Sequence, residues 1–272
     1  MADCDSLNAY SPAEIAHRIE TEGVRKANMA LMPLVILGIL AGAFIGLGAM
    51  LSVMVRADAS LGFAASAFFS GLVFSLGLLM VVVAGAELFT GNNLIIMAWA
   101  QGRIRTAQVL RNWAVVCLSN LVGAVGLACM VYACGHTSLN GGAVGRQVVE
   151  IALAKQALPF WTACLKGVLC NILVCLAVWM AMGGRSVFDK AVAVVFPVMA
   201  FVTAGFEHSI ANMYLRPLAL LVQSSGVAAD GTVVTVTGML GNWVSVILGN
   251  LVGGAGLVGL VYWAVYLRQP RS

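Results

Sequence analysis

The sequence predicts an all-α protein that crosses a membrane six times and consists of two inverted halves with three spans each. Of its 272 residues, 61% are hydrophobic and 10% are charged, and the mean hydropathy is +0.97. A soluble domain has about 25% charged residues. Six apolar segments follow one another, and polar landmarks recur at equal spacing in both halves. The outer surface should therefore face lipid, and the net charge of +4 relates to membrane orientation rather than nucleic-acid binding.

The first 29 residues form a polar segment that should lie on the cytoplasmic side. Ser11-Pro12-Ala13-Glu14 predicts a helix start with a capping box, and Ile15, Ile19 and Val24 fall roughly on one face of that helix. This pattern is typical of an amphipathic helix at the membrane interface. A movable plug or gate is the alternative function.

A single membrane domain is predicted over residues 30–268. Its six apolar segments cover about residues 30–55, 62–100, 112–134, 157–183, 191–223 and 237–267. A spanning helix needs about 20 residues, so segments two and five are too long to be straight helices. We expect both to be broken, the second between Gly85 and Asn93. Backbone freed by such a break is tolerated only inside the protein or against a cavity.

Lys and Arg residues predict the orientation of the six spans. The side that holds both termini carries ten of them: Arg18, Arg25, Lys26, Arg103, Arg105, Arg111, Arg185, Lys190, Arg268 and Arg271. The other side carries four: Arg56, Arg146, Lys155 and Arg216. Both termini should therefore be cytoplasmic.

Matching landmarks divide the domain into halves of about 30–134 and 157–267. The pattern Ala-Gly-x-Glu-x4-Asn occurs at 84–92 and again at 204–212. Asn-Trp, then Asn-Leu-Val-Gly and Gly-Leu, occur at identical spacing from Asn112 and from Asn242. Three spans per half invert the second half in the membrane, and inverted repeats with broken helices place a transport site near the midplane.

His208 is the strongest candidate for a functional side chain, because it is the only histidine in a membrane-length segment. Burial favours a neutral imidazole, which can donate a hydrogen bond and lend a proton to a weak-acid anion. Thr90 occupies the first break as His208 occupies the second, and we expect the two to face each other across a pore. A buried structural histidine and a turn-stabilising threonine are the alternatives.

Two carboxylates, Glu87 and Glu207, occur at equivalent positions in the breaks. We expect a structural role, in which they accept hydrogen bonds from the broken turns or from asparagines such as Asn92, Asn171 or Asn212, and point away from the pore. A proton relay is the alternative.

Apolar side chains near the breaks could close constrictions that exclude water and bare ions, or could simply belong to the core. They are Phe74, Leu78, Leu88, Phe89 and Phe201. Lys155, in the loop before segment four, and Lys166, inside that segment, could form an electropositive vestibule for anions. A surface loop position for Lys155 and snorkelling of Lys166 are the alternatives.

Enzyme motifs and metal-binding motifs do not occur in the sequence. The seven cysteines include no CxxC pair, and most lie in apolar segments, so we expect neither a metal nor a cofactor. A membrane thiol or quinone oxidoreductase would use Cys170, Cys175 and His208, and it is the alternative from another functional class.

Three motifs, at 84–92, 170–179 and 205–213, resemble signatures of the formate/nitrite transporter family. The resemblance runs from about Ser11 to Arg268. It implies an aquaporin-like six-helix protomer, a homopentamer with one pore per protomer, and a bacterial-type inner membrane. A helix at 11–28 would correspond to the family's gating helix.

The resemblance also implies roles for individual residues. The family's loop threonine matches Thr90, its central histidine matches His208, its pore asparagine matches Asn171 and its vestibule lysine matches Lys155. Its constriction-lining residues match Phe74, Leu78 and Phe201.

A channel or transporter for small monovalent anions of weak acids is therefore the leading functional hypothesis. Formate is the first candidate, since 184–186 with 189–190 are similar to formate channels. Nitrite follows closely, since Thr90-Gly91 and Lys166-Gly167 are closer to nitrite channels. Hydrosulfide, short monocarboxylates and a pore for neutral solutes are further alternatives.

Overall fold

The computed structural model describes residues 8–226 and 233–268, and regular secondary structure within these ranges is helical. Residues 1–7 of the predicted N-terminal segment, and Arg271, lie outside the described residues. Helix α1 (Pro12–Ala27) begins with the predicted capping box. The Glu14 N–H donates to Ser11 Oγ at 3.4 Å, and the Ser11 N–H donates to the Glu14 carboxylate at 2.8 Å.

Three spans follow in the first half, and the second of them is broken. The helices are α2 (Leu31–Arg56), α3 (Phe63–Met80), α4 (Ile96–Ala100) and α5 (Thr106–Ala133). A π-helical turn, Val81–Gly85, extends α3 up to the break at 86–90. A 3-10 turn, Gly91–Ile95, leads from the break into α4.

The second half has the same order and begins with a helix that the sequence did not predict. The helices are α6 (Ala143–Gln156), α7 (Phe160–Gly183), α8 (Val187–Thr203), α9 (Ser209–Ser224), α10 (Val236–Leu251) and α11 (Val261–Tyr266). A π-helical stretch, Val252–Leu260, joins α10 to α11. Lys155 therefore lies in the last turn of α6, whereas the sequence placed it in a loop.

Five helical stretches in the described part are long and apolar enough to cross a membrane. The remaining predicted segment is interrupted at 204–208, which leaves α8 and α9 too short to cross on their own. Both expected breaks are present. The two halves contact each other where α3 packs against α8 and where α9 packs against α2 and α5.

Glycines bring the first and third spans of each half into close contact. A Cβ atom added at Gly42, Gly123, Gly249 or Gly253 would lie between 1.9 and 2.2 Å from a carbonyl oxygen of the neighbouring helix. Any larger residue would push these helices apart. Gly256, three residues after Gly253, has no atom within 4 Å of such a Cβ and is not part of the contact.

Candidate functional site

Both helix breaks begin at a glycine with a left-handed backbone. Gly85 has φ +84° and Gly205 has φ +68°, a region that other residues rarely adopt. Past each glycine, the N–H of Glu87 or Glu207 donates to a carbonyl on the first span of its own half, at 3.2 Å and 3.3 Å. The glycine of the repeated Ala-Gly-x-Glu pattern therefore permits the break.

Asn120 of α5 holds the first break in place. Its Nδ2 donates to the carbonyls of Gly38 and Glu87 at 2.7 and 2.9 Å, and its Oδ1 accepts from the Phe89 N–H at 2.9 Å. The side chain is fully buried. It thus satisfies backbone groups on both sides of the break, which would otherwise lack partners in the membrane interior.

Asn250 of α10 does the same for the second break. Its Nδ2 donates to the carbonyls of Gly167 and Glu207 at 2.8 and 3.1 Å, and its Oδ1 accepts from the Ser209 N–H at 3.0 Å. The sequence showed Asn120 and Asn250 only as repeat landmarks. Their identical spacing was the available signal for a shared structural task.

The carboxylate of Glu87 is part of a buried polar network. It accepts from Lys26 Nζ at 3.0 Å and from Asn92 Nδ2 at 2.7 Å. Lys26 also donates to Asn92 Oδ1 at 2.8 Å, and Asn92 donates to Asn112 Oδ1 at 3.1 Å. Lys26 belongs to α1, so this helix closes one end of the first break. Sequence reasoning missed Lys26 as a site residue.

Glu207 has an equivalent network in the second half. Lys155 Nζ and Asn212 Nδ2 each lie 2.7 Å from its carboxylate, and Asn212 donates to Asn242 Oδ1 at 2.9 Å. Lys155 lies five positions before the first residue of α7, and Lys26 lies five positions before the first residue of α2. The three-dimensional repeat therefore extends to α1 and α6, beyond the halves predicted from the sequence.

Two cavities lie on opposite sides of the breaks. The Lys155 cavity has a volume of about 290 Å³, and the residues that line it include Phe74, Lys155, Lys166, Phe201, Glu207 and His208. The Lys26 cavity has a volume of about 370 Å³, and its lining includes Lys26, Leu78, Glu87, Leu88 and Gly91. Glu87 and Glu207 each line a cavity with a lysine partner, whereas the sequence argument turned both carboxylates away from a pore.

His208 and Thr90 meet between the two cavities. The His208 Nε2 and Thr90 Oγ1 atoms lie 3.0 Å apart, and both side chains are buried. The Ala211 N–H donates to His208 Nδ1 at 3.2 Å, so Nδ1 carries no proton in the neutral imidazole. Nε2–H then donates to Thr90, and the hydroxyl hydrogen of Thr90 remains available to another acceptor.

Two aromatic rings flank His208 where it lines the Lys155 cavity. The Phe201 ring stacks on the imidazole with centroids 5.9 Å apart, and Phe74 approaches it edge-on at 6.5 Å. On the other side, Leu78 and Leu88 border the Lys26 cavity. Phe89, also expected to line a constriction, lines neither cavity.

Asn171 of α7 lies behind Thr90. Its Nδ2 lies within hydrogen-bonding distance of the carbonyls of Thr90 (3.3 Å) and Asn250 (2.7 Å) and of Asn93 Oδ1 (2.8 Å). It contacts neither carboxylate, contrary to one expectation, and it lines neither cavity. Asn171 therefore links the first break to Asn250, the residue that holds the second break.

Comparison with known proteins adds independent evidence to this geometry. Residues 13–264 match the sequence model of the formate/nitrite transporter family. The chain belongs to this family. Its members are transporters and channels rather than enzymes, so the oxidoreductase alternative is wrong.

Relatives of known structure and sequence cover nearly the whole chain. The formate channel FocA of Escherichia coli (strain K12) is 38% identical over 270 residues, which is 95% of each chain. A solved pentameric formate channel with formate bound has a TM-score of 0.80 and 36% identity, and the match covers 88% of this chain and 98% of that one. An aquaglyceroporin from Plasmodium falciparum shares the fold. It has a TM-score of 0.51 and 15% identity, and the match covers 87% of this chain and 96% of that one.

Proposed function

We propose that this protein is a channel for small monovalent anions of weak acids, with formate as its leading substrate. The observation that carries the proposal is the Thr90–His208 hydrogen bond between two lysine-lined cavities. Relatives named as formate channels, and a solved one with formate bound, support formate over the other anions. The same structure, described as pentameric, supports a homopentamer. The membrane-length helices and the Escherichia coli relative support a bacterial-type inner membrane.

The pathway runs from the Lys155 cavity to the Lys26 cavity through two apolar constrictions. Phe74 and Phe201 form the first constriction, and Leu78 and Leu88 form the second. Apolar walls exclude hydrated ions, so an anion must lose water before it passes. The buried Thr90 hydroxyl replaces part of that water by donating a hydrogen bond to the anion.

The N-terminus of α9 also favours a negative charge at this point. His208 is the N-cap of α9, so the positive end of the helix dipole faces the centre of the pathway. A bare cation would be repelled here, whereas an anion is stabilised. This arrangement supports anion selectivity without a fixed charge at the constriction.

The hydrogen bonds of His208 favour donation through Thr90 over direct proton exchange. To give up its Nε2 proton, the imidazole would need a replacement on Nδ1, and the Ala211 N–H occupies that atom. The imidazole therefore orients the hydroxyl, and a protonated substrate would arise only if this bond breaks. Proton exchange at His208 is the competing mechanism.

The Lys and Arg distribution supports cytoplasmic termini, with α1 closing the Lys26 cavity from the cytoplasm. Arg216, counted with the loops of the other side, is fully buried in α9 and does not belong in that count. The difference between the two sides is thus larger than the sequence suggested. This difference supports an outer-face position for the Lys155 cavity.

Uptake into proteoliposomes tests the function and the mechanism together. Formate, nitrite and hydrosulfide should compete at two pH values, and the anion with the largest uptake identifies the substrate. Thr90→Val should reduce uptake strongly, while Thr90→Ser should retain it, because serine keeps the hydroxyl. If His208→Ala leaves the substrate range and pH dependence unchanged, histidine has no part in the mechanism. Uptake independent of external pH would favour a pore for neutral solutes.

A further inference from the structure

The Lys155 cavity contains cations that the inverted repeat does not explain. Lys166 lines this cavity, and its first-half counterpart is Leu37, which lines the Lys26 cavity. The two positions correspond because the backbone carbonyl of Leu37 accepts a hydrogen bond from the Glu87 N–H, and the backbone carbonyl of Lys166 accepts one from the Glu207 N–H. A lysine therefore stands where the other half has an aliphatic side chain.

Arg56, at the end of α2, also lines the Lys155 cavity. Its guanidinium has one hydrogen bond in the described part of the chain, to the Val202 carbonyl at 3.4 Å. This long contact to a neutral group leaves most of its donors available to the cavity.

Arg216 adds a third cation immediately behind the cavity wall. It lies one helical turn after Asn212, which lines the cavity, and its side chain is fully buried. Its guanidinium donates to the carbonyls of Gly238 at 2.9 Å and Ala152 at 3.4 Å. The equivalent residue in the first half, four positions after Asn92, is Ile96.

These three charges form no direct ion pair with a protein carboxylate in the described part of the chain. Within residues 8–226 and 233–268, Arg56, Lys166 and Arg216 form no ion pair within 4.0 Å. The carboxylate that lines this cavity, Glu207, is already paired with Lys155. The Lys26 cavity is closer to balance, with the cations Arg25, Lys26 and Lys190 and the carboxylates Glu22 and Glu87.

Excess positive charge in an apolar, partly enclosed cavity attracts anions, because low-dielectric walls focus the field. We propose that Arg56 and Lys166, with the charge of Arg216 behind them, form an anion-binding site in the Lys155 cavity for a small monovalent oxyanion. This site is separate from the Thr90–His208 centre. It makes the Lys155 entrance bind the anion more tightly than the Lys26 entrance. The proposal rests on the proposed function only for the statement that this cavity is an entrance.

Two variants that copy the first half of the repeat test the site. Lys166→Leu and Arg216→Ile replace each cation with the residue type found at the equivalent position. Arg146→Gln is the matched control. Arg146 is an exposed cation at the same end of the molecule, and it does not line the cavity. Lys166→Arg restores the charge and should restore binding. Gel filtration of each variant checks its assembly.

Line broadening of ¹³C-labelled formate by the purified protein measures binding, and uptake into vesicles of both orientations measures KM from each side. Lys166→Leu should weaken binding and raise KM from the Lys155 side by roughly three- to tenfold, and added salt should shrink this difference. KM from the Lys26 side and the maximal rate should change little. Arg216→Ile should act in the same direction, while Arg146→Gln should match the wild type.

The binding and transport readouts separate the two proposals. Wild-type vesicles that take up neither formate nor nitrite would contradict the proposed channel function, while line broadening would still decide the site. Normal uptake with equal line broadening for wild type, Lys166→Leu and Arg146→Gln would overturn the site alone. Equal KM values from both sides of the wild type would overturn the predicted asymmetry.

Discussion

Replacement of Asn250 by leucine tests how the second break is held. The variant keeps the branched shape and the number of side-chain heavy atoms but removes the hydrogen bonds to two carbonyls and one N–H, at 2.8, 3.1 and 3.0 Å. The site is fully buried, so water cannot replace them. A buried group without a partner costs about 1–3 kcal/mol, and with some relaxation the three together should cost about 3–6 kcal/mol.

Thermal unfolding in detergent, followed by tryptophan fluorescence, measures this cost. For chains of this size the melting temperature changes by about 2–4 °C per kcal/mol, so Asn250→Leu should lower it by roughly 10 °C or more. Asn120→Leu should have a similar effect, because it loses the equivalent bonds in the first half. Melting of Asn250→Leu within about 2 °C of the wild type would refute the idea that this side chain holds the break.

Two further predictions concern helix contacts and pH. Gly123→Ala should abolish assembly, because its Cβ would lie 1.9 Å from the Ile39 carbonyl, whereas Gly126→Ala, with no atom within 4 Å, should assemble normally on gel filtration. Hydrogen bonds from the Ser11 hydroxyl and N–H hold the pKa of Glu14 below its usual 4.5. The stabilisation of α1 by the capping box is therefore fully present above pH 4.5, and it is lost as the pH falls through the lower pKa of the folded state. The protection of first-turn amides of α1 against exchange, after correction for the intrinsic pH dependence of exchange, should therefore fall in acid, and Ser11→Ala should weaken this pH dependence by lowering the protection at neutral pH as well.

The sequence predicted the spans and the breaks because these features depend on local composition. Segment length against bilayer thickness identified the two segments that cannot be straight, and the paired glycines, Gly85 and Gly205, marked where each one breaks. The repeat placed Thr90 in the first break and His208 in the second, although it aligns His208 with Leu88 and Thr90 with Ile210. The Thr90–His208 hydrogen bond follows from the inversion that brings the two breaks together.

Helix α6 and the part played by Lys26 could not be predicted in the same way. The buried face of α6 contains Val144, Val148 and Ala152 at helical spacing, but Gly141 and Gly142 before it read as a loop. Lys26 lies in a polar segment, where a charge normally faces water. Only the docking of α1 beneath the first break brings its ammonium to a buried carboxylate.

The sequence argument did not anticipate the lysine partners of the two carboxylates. A bare carboxylate on an anion pathway would repel the substrate, so the sequence argument turned Glu87 and Glu207 away from it. In the structure, Lys26 and Lys155 neutralise them at 3.0 and 2.7 Å. A neutralised carboxylate can line the cavity, and it fixes its lysine there.

The hydrogen bonds that Asn120 and Asn250 make to the two breaks also determine which parts of the pathway can move quickly. Backbone groups on both sides of each break are bonded to α5 or α10, so widening the passage by unwinding would break several buried hydrogen bonds. Rotation of Phe201 or Leu88 about its side-chain torsions breaks none. Such torsions change far faster than the roughly microsecond-to-millisecond rocking of whole domains. We therefore expect single anions to cross in rapid succession, at a rate determined by dehydration and ring rotation rather than by an alternating-access cycle.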